Sequence, residues 1–314
     1  MKKIIAAFVA LVWAFTISCA PATSSRYREG DNRGQQTNLT VADEERLTQE
    51  ALPKMQKDYP PSNSAELQKY ISQLGMKIVT ANKLEGNPYH YDFTVVDVKN
   101  VNAFAMPAGK VFVTVPLIAM ASNEAELAGV VSHEIGHVVA RHAAERMYAM
   151  EQAQNKTWLY AAGGGAIGAA AGLGLGLILC RDGNSSCLAR AALIGGAIGA
   201  GGGLLVQKYS FLANSREDEL EADRLGFKLA VGAGYDKDQV GKFYEKLLQM
   251  EKKAGNNSGA LKSFADALST HPPSEERVRQ MQEMAAGSPV VKDAIVTTPA
   301  FTRAHQTAVS LAKK

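Results

Sequence analysis

The stretch VVSHEIGHVVARH, Val130 to His142, sets three histidines and a glutamate inside an otherwise apolar run. Residues four apart stack on one face of a helix, so His133 and His137 present two imidazoles one turn apart. That separation suits two bonds of about 2.0–2.1 Å to a single tetrahedral zinc ion. Glu134 is turned slightly off the ligand face and can reach an open coordination position as a general base, which is the HExxH arrangement. Two buried imidazoles beside a buried carboxylate would be costly without a cation to pair them. The run predicts a long helix capped by Asn123, with Glu126 at the third position, and continuing at least to Met147. His142 is rotated off the ligand face and reads as structural, while His90 and His305 have no companions in the sequence.

A catalytic zinc needs a third protein ligand and one open position. The segment NSREDELEADRLG, Asn214 to Gly226, offers Glu217, Asp218, Glu219, Glu221 and Asp223, and helical phase separates them. Glu219 shares a stripe with Ala222, Asp223, Gly226, Phe227 and Ala230, small and apolar apart from the two acids. Glu217 and Glu221 share theirs with Arg224 and Lys228, an ordinary salt-bridged, solvated face. Glu219 is therefore the expected ligand. Asp223, one turn on, can accept a hydrogen bond from the far ring nitrogen of a ligating histidine.

The rest of the chain is scaffold. With 314 residues and 46% hydrophobic content it can bury a full core, and a net charge of +3, near +1 once Lys2 and Lys3 leave with the signal segment, argues against nucleic acid as the main partner. Residues 1–18 read as a secretory signal peptide: Lys2 and Lys3, then an apolar run from Ile4 to Ile17. Thr16 to Cys19 is similar to a bacterial lipobox, with lipidation of Cys19 the expected anchor and simple cleavage near Ala20 or Ala22 the alternative. In an oxidising compartment Cys180 and Cys187 would close a small disulfide loop, with a zinc site built on the two as the weaker reading. Residues 19–40 are polar and rich in Gly, Ser and Thr, which predicts a flexible tether in which nothing packs. Helices follow from Val41 to about Asn82, the second capped by Asn63 and Glu66. Tyr91 to Val96 and NAFAMPAGKVFVTV, Asn102 to Val115, predict a small antiparallel sheet, with Pro107, Ala108 and Gly109 forming a turn. Helical patterns return from about Asn214 to Met250 and from Pro273 to Ala285, and the tail 289–314 has too little pattern to assign. Residues 158–180 and 191–207 are uncharged Gly/Ala-rich runs, which predict a helical hairpin over 158–207 inserted in the domain 41–288. Its small residues suit close helix contact, either in lipid or packed against the protein.

Taken together, HEIGH, ELEAD eighty residues later, NAFAMPAGKVFV, the RHAAER continuation and STHPPSEERV resemble the gluzincin metallopeptidases. The likeness is to the group of the CAAX prenyl proteases and HtpX, in its periplasmic branch, and covers Asn102 to Val278. The resemblance implies an α+β, mostly helical, zincin-like domain and one zinc held by His133, His137 and Glu219. Glu134 would be the base, Asp223 a support behind a ligand, and the reaction peptide-bond hydrolysis. It also implies that the strand at Ala103–Met106 or Val111–Val115 receives polypeptide substrate as an added strand. His271 falls where the group places a histidine near the metal, to stabilise an oxyanion or to block the open site; Arg277 matches the same pattern and could anchor that loop. The expected function is a zinc endopeptidase acting on unfolded or misassembled polypeptides in the bacterial periplasm, anchored to the outer membrane as a lipoprotein. The alternatives are a chaperone-like or latent protein on a protease fold, and a structural lipoprotein defined by the Gly/Ala hairpin.

Overall fold

The computed structural model describes residues 30, 32, 35–149, 151–152, 214–254 and 265–313. The readings made for residues 1–18, Cys19, the Cys180–Cys187 loop and the hairpin 158–207 lie outside them.

The first helix, α1 (Val41–Asp58), opens on a capping box between Thr40 and Asp43. The second, α2 (Ala65–Ala81), is capped by Ser64, whose hydroxyl accepts the Leu67 N–H, one residue later than the Asn63–Glu66 pair expected from sequence. Its buried face, Leu67, Ile71, Leu74 and Ile78, lies against the sheet. A Cβ on Gly75 would meet the Phe93 ring at 2.4 Å, which is why helix and sheet can approach so closely.

Strands β1 (Asp92–Val96), β2 (Ala103–Met106) and β3 (Lys110–Thr114) form one sheet in the order β1-β3-β2. The pairing β2–β3 is the antiparallel hairpin expected, turned through Ala108 and Gly109, both at positive φ. The pairing β1–β3 is parallel, so the sheet is mixed and not antiparallel throughout. The physical reason is that residues 97–102 carry the chain back across the sheet before β2, and β1 then pairs with β3 in the same sense.

Thr114 caps the short α3 (Val115–Met120), and Asn123 Oδ1 accepts the Glu126 N–H to start α4 (Glu124–Val139), the helix carrying HEIGH. The expected continuous helix to Met147 is broken. Ala140 caps α4, Arg141 adopts φ 52°, and residues 142–149 form a new helix, α5. Arg141 is held there by Glu44 of α1, which its Nε reaches at 2.8 Å, and by the Leu39 carbonyl at 2.7 Å from Nη2. Beyond the undescribed stretch come α6 (Arg216–Gly232), α7 (Lys237–Val240), α8 (Lys242–Ala254), α9 (Ala265–Thr270) and α10 (Glu275–Gly287). The tail left unassigned contains α11 (Pro299–Ala312), whose Phe301, Ala304 and Ala308 are buried against α2 and α3. Among the described residues no helix is long and apolar enough to cross a membrane.

The described residues of the stretch read as a tether do pack. Asn32 Nδ2 donates to Val139 O at 3.0 Å, Gln35 Nε2 to Ala140 O at 2.7 Å, and Thr37 Oγ1 to Ala144 O at 3.2 Å. The low hydrophobicity that suggested flexibility serves here to satisfy carbonyls left open where α4 ends.

Candidate metal centre

Two glycines let α4 and α6 touch backbone to backbone. A Cβ on Gly226 would lie 2.8 Å from the His133 Cα and N, and one on Gly136 would lie 2.9 Å from the Ala222 carbonyl. Ser215 and Asp218 form a capping box that starts α6 where Glu219 falls in its first turn, facing the α4 histidines.

The result is a buried cluster. His133 Nε2 and His137 Nε2 are 3.0 Å apart, Glu219 Oε2 is 3.4 Å from the first, and Glu219 Oε1 is 3.3 Å from the second. His271 joins them, its Nδ1 3.0 Å from Glu219 Oε1 and 3.3 Å from His133 Nε2. One ligand atom from each of these four residues lies within 4.8 Å of all the others. Glu134, also buried, sits beside them with Oε1 3.5 Å from His271 Nε2. His90 bonds instead to Glu85 and His305 to the Ala119 carbonyl, away from the cluster.

A second ring of side chains aims the first. Asp223 Oδ1 lies 2.9 Å from His133 Nδ1. Arg277 does more than anchor a loop: its Nε and Nη2 each bond Asp223 at 2.7 Å, and its Nη1 lies 2.6 Å from Glu219 Oε2 and 3.1 Å from the Pro272 carbonyl. The guanidinium stacks 4.7 Å above the Tyr244 ring. Sequence reasoning passed over Asn214, whose amide donates to Glu219 Oε1 and to the Thr270 carbonyl and lies 3.3 Å from His137 Nε2. Its place just ahead of the Ser215 cap was the available signal. The break at Arg141 also brings His142, read from sequence as structural and off the ligand face, under His137, their Nδ1 atoms 2.8 Å apart.

The charges in this pocket are strongly coupled. Burial alone would lower the His133 pKa, but Glu219 and Asp223 hold it up at about 9. His137 is pushed well below the ordinary range by burial and by the neighbouring His133. Burial would raise Glu219, yet Arg277, His271 and His133 hold it well below the usual carboxylate range. Asp223 is lowered against its burial, chiefly by Arg277. With both Nδ1 atoms turned outward, two Nε2 atoms and a carboxylate converge in a buried cluster. A donor set of that kind repels itself unless a proton or cation lies between, and two nitrogens with one carboxylate oxygen suit one zinc ion.

Residues 65–285 match the model of peptidase family M48. The chain belongs to that family. The M48 match runs from the start of α2 into α10, so it takes in both helices of the cluster and the His271 loop. Over 284 residues the chain is 26% identical to the beta-barrel assembly-enhancing protease of Escherichia coli K12, an alignment covering 90% of this chain and 52% of that protein. The putative beta-barrel assembly-enhancing protease of Vibrio cholerae is 29% identical over 257 residues, 82% of this chain and 47% of the relative. The mitochondrial metalloendopeptidase OMA1 of Schizosaccharomyces pombe is 27% identical over 266 residues, 83% and 66% of the two chains. The chain thus spans about half the length of the bacterial relatives it matches.

Proposed function

We propose that this M48 chain is a zinc metalloendopeptidase of the bacterial cell envelope that hydrolyses peptide bonds of unfolded or misassembled polypeptides. The observation that carries the reading is the convergence of His133, His137 and Glu219, from two helices, beside a buried Glu134. His133, His137 and Glu219 would hold the zinc, which supplies Lewis acidity toward the scissile carbonyl. Glu134 takes the proton of the attacking water and passes it to the leaving amine. Asp223 and Arg277 keep the His133 ring and the Glu219 carboxylate facing the centre.

Strand β2 lies at the edge of the sheet, as an added substrate strand requires, and main-chain pairing there would select extended chains with little regard to side chain. The bacterial relatives are named for β-barrel assembly, which supports a role in the quality control of outer-membrane polypeptides. A lipidated Cys19 would hold the enzyme at the outer membrane on the periplasmic side, with the Gly/Ala-rich segment adding surface association.

Casein cleavage by the wild type and by Glu134→Gln tests the activity. Loss of cleavage by at least about 100-fold, with zinc retained, is expected for a missing general base; equal cleavage by the two proteins would remove the protease reading. A second reading, of a latent protease or chaperone-like binder, is favoured by His271, which stands within the ligand cluster where the open position is needed. On that reading His271→Ala raises casein turnover, and a fall instead assigns His271 to catalysis.

A further inference from the structure

Neither the hydrolytic roles above nor the helix phase of α4 accounts for a buried polar chain behind His137. His142 is fully buried, and its Nδ1 lies 2.8 Å from His137 Nδ1. On the other side of the same ring, His142 Nε2 lies 3.4 Å from Glu221 Oε2 and 3.8 Å from Asp218 Oδ1. Glu221 is itself buried, and its other oxygen, Oε1, accepts the Gly30 N–H at 3.0 Å. Helical phase had placed Glu221 on a solvated face; the structure puts it inside because α5 and the N-terminal segment cover that face.

The direction of these bonds follows from chemistry. A carboxylate only accepts, so Glu221 takes a proton bond from His142 Nε2–H. His142 Nδ1 is then a lone pair, which must receive the His137 Nδ1–H. His137 Nε2 is left as a lone pair pointing at Glu219 and His133, the only tautomer able to bind a metal from that side.

We propose that His142 and Glu221 are positioning residues that fix the tautomer and aim of His137, and that Gly30, Asn32, Gln35 and Gln36 form the strap that completes them. The inference rests on the zinc reading above. The strap holds the whole arrangement at its source, the break at Arg141. Besides Gly30 on Glu221, Asn32 and Gln35 bond the Val139 and Ala140 carbonyls, and the Gln36 N–H meets Glu145 Oε1 at 3.2 Å. These contacts keep α4 from continuing, and only a broken helix can bring His142 beneath His137.

The test is the zinc affinity of the full chain, measured by competition with a chromophoric chelator. Glu221→Gln weakens binding by about 10- to 100-fold, because an amide facing both His142 and Gly30 must set a donor against a donor. His142→Asn places Oδ1 where Nδ1 was and still accepts from His137, so it binds zinc more tightly than His142→Phe, although Phe fills the space better. A purely space-filling role gives the reverse order. Asn32→Ala with Gln35→Ala releases the strap and weakens zinc binding in the same direction. Affinity unchanged in Glu221→Gln, or Asn no better than Phe, overturns the relay, and wild-type affinity in the double variant overturns the strap. Failure of the zinc reading is separate: the wild type would then bind no stoichiometric zinc.

Discussion

Replacing Gly226 with alanine tests the contact on which the cluster depends. The added methyl would stand 2.8 Å from the His133 Cα and N, about 0.6 Å inside ordinary contact at 3.4 Å, and both atoms belong to a helix backbone that cannot rotate away. Either α6 retreats from α4 or both helices shift, and Glu219 and Asp223 move with α6. Overpacking of this kind costs about 1–3 kcal/mol, which lowers the midpoint of thermal unfolding by roughly 2–5 °C for a chain of this size. The functional effect should be larger than the loss of stability. Catalytic groups tolerate about 0.5 Å of misplacement, and displacement on the order of 1 Å costs about 100-fold in rate. Gly226→Ala should therefore remain folded at 25 °C yet cleave casein at least about tenfold more slowly and hold zinc more weakly. Calorimetry, zinc content after dialysis and casein turnover measure the three quantities. Wild-type values for all of them would show that α4 and α6 are not pressed together at His133, and the proposed geometry would fall.

Two further outcomes are expected. Arg277→Met strands the buried Glu219 and Asp223 carboxylates without their shared cation, so stability should fall by about 3–5 kcal/mol, and a urea midpoint equal to wild type would contradict the assigned pairing. With zinc removed, His133 is held protonated with a pKa of about 9, above its unfolded value near 6.5. A raised folded pKa gives stability that is complete below about pH 6.5 and is lost as pH rises through about 9, at most about 3 kcal/mol in all. Urea unfolding in a chelator at pH 6 and pH 9.5 measures this, with the lower midpoint expected at pH 9.5; no change, or a higher midpoint there, would mean that His133 is not charged between its two acids.

Much of the chemistry was legible without coordinates because it depends on one helical period. His133 and His137 share a face by spacing alone, and the phase of α6 set Glu219 and Asp223 apart from Glu217. The hairpin β2–β3 was legible from its turn residues. Other features were not. Arg277 looked like a loop anchor because its partners, Asp223 and Glu219, lie more than fifty residues away in sequence. The parallel pairing of β1 depends on how residues 97–102 cross the sheet, which has no local signature.

By itself, then, the sequence determined which side chains could face a metal, since backbone stereochemistry over four residues is enough for that. Only the tertiary structure decided that Glu221 is buried, that Asn32 and Gln35 hold the end of α4, and that Arg141 breaks the helix beneath His137. Each of those depends on a contact between segments about one hundred to two hundred residues apart, and the free energy that selects such a contact comes from packing and from satisfying buried carbonyls, not from any local propensity of the residues involved.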